Sequence, residues 1–136
     1  MTEVVLDASV VIKWFRAEGE RHLRPARALR AAFEAGELTV FAPPLLRLEI
    51  LTVAGRRWQL GEDRLIDLAG ALEEVGFELI EPELSRVAHW TAQGLTAYDA
   101  AYVAVAEAHE ARLITDDDGI VGVAGEVATA LSAQTR

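Results

Sequence analysis

Short apolar runs alternate with amphipathic stretches along the chain, and each change of period marks a change of element. Residues 2–6 form a continuous β-branched run, the pattern of a strand covered on both faces, and a helix is predicted over 8–16. Good helix formers fill 24–36, where Leu29 and Phe33 are four apart and Gly36 is placed to end the helix. A second strand is predicted at 38–41, closed by Pro43-Pro44, which opens a helix running to about Trp58. An amphipathic helix at 61–74 leads to a strand at 77–80, bounded by Gly76 and Pro82.

Helices at 83–93 and 97–110, divided by Gly94, precede a buried strand at 112–115. Asp116-Asp117-Asp118-Gly119 then turns the chain into a short helix through Val123 and a last strand at 127–131. Strands alternating with helices predict an α/β fold. It should be a three-layer α/β/α sandwich around a central parallel sheet of four to five strands. With 136 residues, 51% of them hydrophobic, and no repeat or linker, one domain spanning residues 1–136 is expected.

Composition narrows the chemistry. There is no Cys, and three scattered His (His22, His89, His109) speak against zinc, so any metal must be held by oxygen. The opening MTEVVLD has an acid where a signal peptide has basic residues, and no apolar run approaches a membrane span; a cytoplasmic protein without membrane contact is expected. The net charge of -9 hides an asymmetry: residues 1–57 hold nine Lys/Arg and seven Asp/Glu, residues 58–136 four and fifteen. Arg24, Arg27 and Arg30 recur at helical spacing on one face, either a solvated surface or a phosphate-contacting patch, with Lys13, Arg16 and Arg21 just upstream.

Acids stand in apolar surroundings at four places along the chain. Asp7 interrupts "VVLDASVVIKW"; Glu49 lies in "PPLLRLEILTVAGR" with Leu45, Leu46, Thr52 and Val53 as helical neighbours; Asp99 lies in "LTAYDAAYVAVAEA"; Asp116 and Asp117 follow "RLIT". In a parallel sheet, Asp7 and the 116–117 pair project from the carboxyl edge, where ligands bind. Each has a local explanation: a helix N-cap for Asp7, an imperfect capping box with Thr96 for Asp99, a turn for the Asp run, an Arg-paired helix surface for Glu49. One cause covers all of them. Carboxylates gathered in one pocket repel each other unless a cation is present, and an all-oxygen donor set suits Mg²⁺ or Mn²⁺. An EF-hand is excluded by the spacing around Asp118.

The four stretches "VVLDASVVIKW", "PPLLRLEIL", "LTAYDAAYVAVAEA" and "RLITDDDGI", in this order, resemble the PIN domain, most of all the VapC-like toxin nucleases of VapBC toxin–antitoxin pairs. The resemblance runs from Val4 to about Val127. It implies a Mg²⁺- or Mn²⁺-dependent endoribonuclease leaving a 5′-phosphate and a 3′-hydroxyl. Asp7, Glu49, Asp99 and Asp117 fall on the family's four acidic positions, Asp7 and Asp99 as main metal ligands and Glu49 and Asp117 binding directly or through water. Thr115 and Asp117 match a Thr-x-Asp pattern in which Asp116 fills the variable middle. Ser9 matches a hydroxyl position near the metal, though a first-turn helix hydroxyl is an alternative.

The Asp118-Gly119 pair departs from the basic residues common at that point in the family. Lys13, the chain's only lysine, is either a solvated helix residue or a phosphate contact, and the arginine face could meet RNA or an antitoxin. A homodimer is implied, with Trp14, Phe15 or Trp58 as contacts or, alternatively, core. Rival readings are a PIN-fold binding module without turnover, a nuclease acting without an antitoxin, and a phosphoacceptor domain, which needs a lysine after a late strand that this chain lacks.

Overall fold

The computed structural model describes residues 2–134. Strands β1 (Thr2–Leu6), β2 (Leu38–Ala42), β3 (Glu78–Leu79), β4 (Arg112–Thr115) and β5 (Ala128–Ala130) form one sheet in the order β3-β2-β1-β4-β5, all parallel. Around it lie α1 (Ala8–Phe15), α2 (Leu23–Glu34), α3 (Leu45–Arg56), α4 (Glu62–Glu74), α5 (Leu84–Ala92), α6 (Ala97–Ala108) and α7 (Asp118–Val123), and a 3₁₀ turn follows at Leu131–Ala133. Every element predicted from the sequence is present. The termini shift by a few residues: β3 keeps only two residues and β5 three, because at the sheet edges few partners extend the ladder. Helix α2 ends at Gly36 as expected. With φ at +77°, Gly36 lets the Glu37 amide reach back to the Ala32 carbonyl, a hydrogen-bonded C-cap that a Cβ would strain.

The strand order decides where ligands can bind. From β1 to β2 to β3 the chain steps one way across the sheet, then returns over it to β4 and continues to β5. Right-handed crossovers therefore lay α1 to α4 on one face and α5 to α7 on the other. Helix packing agrees: α1 packs on α2 and α3, and α3 on α4, while α5 packs on α6. The connections diverge between β1 and β4, so the crevice at the carboxyl ends of these two strands is the topological switch point.

The core is continuous through the sheet. Val5 and Leu6 of β1, Val40 of β2 and Leu113 of β4 are fully buried, as a strand covered on both faces requires. Helix α6 packs against β1, β2 and β4, and its residues from Ala100 to Ala106 are all buried, six of them alanines or valines small enough for close approach. On the opposite face Trp14, Phe33 and Phe77 form an aromatic cluster with ring centroids 5.2 to 5.8 Å apart, and the Trp14 indole donates to the Ala26 carbonyl at 2.9 Å. Trp14 thus belongs to the core, and Phe15 and Trp58 are half-buried against it.

Candidate metal centre at the sheet's carboxyl edge

Each acid singled out in the sequence sits where a strand hands over to a helix or in the first turns of a helix. Asp7 joins β1 to α1, Glu49 lies in the second turn of α3, Asp99 in the first turn of α6, and Asp117 is the N-cap of α7. A helix N-terminus favours nearby negative charge, so the fold tolerates acids at these points better than elsewhere.

Asp7 is 4% exposed, at the switch point itself. Its carboxylate accepts from the Ser9 hydroxyl at 2.6 Å and from the Thr115 hydroxyl at 2.5 Å, so β4 and α1 both hold it. The capping alternative fails for its side chain, which bonds none of the α1 amides; the Asp7 main-chain carbonyl accepts from Val10 and Val11 instead. Burial pushes the Asp7 carboxyl up to about 6, the Ser9 and Thr115 donors pull against this, and the Asp99 and Glu49 charges raise it further.

Glu49 accepts from the Tyr102 hydroxyl at 2.5 Å rather than from an arginine. Burial holds its carboxyl above the usual range; the Tyr102 donor opposes this and the Asp99 charge adds to it. Asp99 is raised as well, by burial first and then by the Asp117 charge, against the opposing Thr96 hydroxyl. The expected Thr96 cap is present: its hydroxyl accepts from the Asp99 amide at 3.1 Å. Asp117 accepts from the Gly119 and Ile120 amides at 2.8 and 3.3 Å through one oxygen, and its own amide donates to Thr115. A Cβ on Gly119 would lie 3.1 Å from that oxygen, so the small residue after the Asp run has a local reason.

The fields of these carboxylates overlap: Asp7 senses Glu49 and Asp99, and Asp99 senses Asp117. Among the described residues no Lys, Arg or His pairs with any of the four, and no three such groups close directly around an ion. Unneutralised carboxylates on an open rim fit a hydrated divalent cation, which keeps several waters and binds through few protein oxygens.

Two sequence expectations are corrected. Lys13 is neither solvated nor free to touch phosphate: its side chain is 2% exposed and pairs with Glu20 at 2.8 Å and Asp116 at 3.0 Å. Arg24, Arg27 and Arg30 are all exposed, but Arg30 is committed to structure, donating to the Trp14 carbonyl at 2.6 Å and pairing with Glu34. Asp116 turns away from the other acids. Burial alone would raise it, but hydrogen bonds from His22 and Lys13 hold it below the usual carboxylate range. Ser9 and Thr115 both donate to the Asp7 carboxylate. Reasoning from sequence missed the roles of Tyr102, Glu20 and His22. Tyr102 was visible three residues after Asp99 on the same helix face; nothing local marked the other two.

The fold is similar to that of solved proteins. PAE2754 of Pyrobaculum aerophilum aligns with a TM-score of 0.66 at 22% identity, covering 96% of this chain and 90% of that one. The sarcin-ricin loop cleaving toxin VapC20 of Mycobacterium tuberculosis gives 0.66 at 14% identity, over 89% and 95%. A toxin–antitoxin complex from Klebsiella pneumoniae gives 0.60 at 21%, over 94% and 97%. No curated protein matches the chain. The sequence model of the PIN domain matches residues 4–126, nearly the whole chain, and the switch-point acids lie within that span: this chain belongs to the PIN domain family.

Proposed function

We propose that this PIN domain is a divalent-cation-dependent endoribonuclease and the toxin of a toxin–antitoxin pair, with Asp7, Glu49, Asp99 and Asp117 as its metal-holding carboxylates. One observation carries the reading. A buried carboxylate at the switch point lies in the field of two others, and no basic side chain among the described residues offsets them. Such a pocket is electrostatically incomplete without a cation. PIN domains are in general nucleases, and the structurally similar VapC20 is named as cleaving the sarcin-ricin loop.

Bound Mg²⁺ or Mn²⁺ would offset the phosphate charge and lower the pKa of a coordinated water. The chain's own residues supply orientation. Ser9 and Thr115 hold the Asp7 carboxylate from both sides, and with a pKa of about 6 it is mostly ionised at neutral pH. Burial and the nearby acids raise the Tyr102 hydroxyl, so it stays protonated and donates to the Glu49 carboxylate, keeping Glu49 in place. One Asp117 oxygen is tied to the α7 amides, and its other oxygen is left to hold the metal or orient the attacking water. In-line attack leaves a 5′-phosphate and a 3′-hydroxyl. Arg24 and Arg27 provide an exposed basic face along which RNA can approach.

Cleavage of an RNA pool with Mg²⁺ or Mn²⁺ tests this reading. Asp7→Asn and Asp99→Asn should each lower the rate about 10²- to 10³-fold, comparable to losing a major electrostatic element. Equal activity in the variants, or undiminished cleavage in EDTA, overturns it; a binding module without turnover predicts no cleavage at all.

The antitoxin partner rests on a groove of about 540 Å³ beside Glu49, lined by Leu45, Leu48, Val53 and Tyr98. Leu48 and Tyr98 are 66% and 65% exposed, an apolar surface next to an acidic pocket. A partner with apolar side chains and one basic group matches both. Co-expression with the neighbouring gene product should yield a complex in which cleavage is suppressed. The proposed homodimer would appear as twice the chain mass in light scattering.

A further inference from the structure

The acids of the pocket do not account for Lys13, a fully enclosed cation in the first helix. Buried ion pairs are weak contributors to net stability, because desolvation offsets much of their attraction, so a second role is worth seeking. The geometry around Lys13 suggests one. Ser9 and Lys13 are four apart and share a face of α1. Ser9 Oγ accepts from the Asp116 amide at 2.8 Å, and Lys13 Nζ contacts Asp116 Oδ2 at 3.0 Å. Helix α1 thus grips Asp116 by its main chain and its side chain at once. The neighbours of Asp116 are Thr115, whose hydroxyl donates to Asp7, and Asp117, whose amide donates back to Thr115.

The grip is reinforced from the loop between α1 and α2. His22 Nδ1 lies 2.9 Å from Asp116 Oδ1, and Arg21 reaches Asp116 at 3.8 Å. Glu20 bridges Lys13 at 2.8 Å and Arg57, at the end of α3, at 3.3 Å. His22 adopts φ of +57°, a left-handed conformation that a non-glycine residue keeps only when its surroundings hold it. Everything in this cluster bears on one turn.

We propose that Lys13 is a positioning residue for the metal centre: by holding Asp116, it fixes the turn over residues 115–117 and so sets where Thr115 and Asp117 stand relative to Asp7. Asp116 is then an anchor and not a metal ligand. The inference rests on the nuclease reading for its consequence, metal affinity, but its structural claim is measurable without metal or substrate. Outer partners that orient ligands typically change metal affinity by about 10- to 100-fold when removed.

The experiment compares the intact protein with Asp116→Ala, Lys13→Met and Lys13→Arg. Metal-free amide hydrogen exchange should show residues 116, 117, 119 and 120 exchanging about tenfold faster in Asp116→Ala and Lys13→Met, with α6 amides unchanged. Lys13→Arg, which can still pair with both carboxylates, should stay near wild type. Calorimetry with Mn²⁺ should show affinity about tenfold weaker in the first two variants and no further loss when they are combined. Lys13→Met leaves two partly buried acids short of a partner and can fail to fold; Asp116→Ala then decides alone. Unchanged exchange at 116–120, a uniform loss of protection, or additive losses in Mn²⁺ affinity overturn the proposal. A wild type that binds no Mn²⁺ overturns the nuclease reading instead, and the exchange result still judges the role of Lys13.

Discussion

Asp116 and Asp117 are adjacent in sequence and live in opposite electrostatic worlds. Asp116 faces Lys13, His22 and Arg21 and is held below the usual carboxylate range. Asp117 faces Asp99, which with Asp7 and Glu49 is raised above it. One cluster supplies its own cations; among the described residues the other has none. A fold selected only for stability has no reason to keep both, because the second raises the free energy of the folded state at neutral pH. On the proposed nuclease reading, the contrast separates the acids that would take an external cation from the one that is already paired.

Removing charge from the two clusters should move stability in opposite directions. Lys13→Met is expected to destabilise by about 3–5 kcal/mol, since it leaves Glu20 and Asp116 without their shared buried cation. Asp7→Asn in metal-free protein should stabilise instead, by about 1–3 kcal/mol, because it removes a charge that burial and two neighbouring acids disfavour. Urea titrations of both variants at pH 7 without metal check the pair of signs; destabilisation by Asp7→Asn would erase the contrast.

The pH dependence separates the clusters without mutation. The folded Asp7 carboxyl, at about 6, exceeds its ordinary value of 3.8, so the folded state binds the extra proton between these values. That contribution to stability is fully present below about pH 4 and lost as pH rises through about 6. Asp116 acts oppositely: its lowered pKa favours the folded state above the ordinary carboxylate range, and that contribution fades as pH falls below it. Metal-free melting should therefore rise from pH 7 to about pH 5 and fall in stronger acid. Saturating Mg²⁺ should raise the melting temperature most at pH 7, where the pocket is ionised, and little at pH 5. A metal-independent profile would contradict the site.

The smallest expected effect is at the edge of the pocket. Tyr102→Phe removes the hydroxyl that donates to Glu49, but Glu49 is only half-buried and water can replace the donor. A loss of about 1 kcal/mol or less in stability is expected, with a several-fold fall in cleavage. A loss as large as that for Asp7→Asn would move Tyr102 into the catalytic set.

Much of this was legible in the chain itself, for a physical reason. Buried strands and amphipathic helices are written in spacings of two to four residues, so the order of elements and the parallel class of the sheet follow from periodicity. Asp7, Glu49 and Asp99 were visible for a related reason: a charge among apolar neighbours is conspicuous in a window of a few residues. Asp117 was visible as the end of a strand. The strand order 3-2-1-4-5 was not written locally, and it alone brings Asp7 and Thr115, 108 residues apart, into contact.

The sequence alone determined which segments are buried strands and helices, and that several acids lie where solvent is scarce, because apolar periodicity is local and survives without the fold. Tertiary structure decided the sign of each charge's environment. It enclosed Lys13, turned Asp116 toward His22 across 94 residues, and left Asp7 among other acids. Electrostatic energy depends on distance and burial in space, and neither is encoded by a residue's neighbours along the chain.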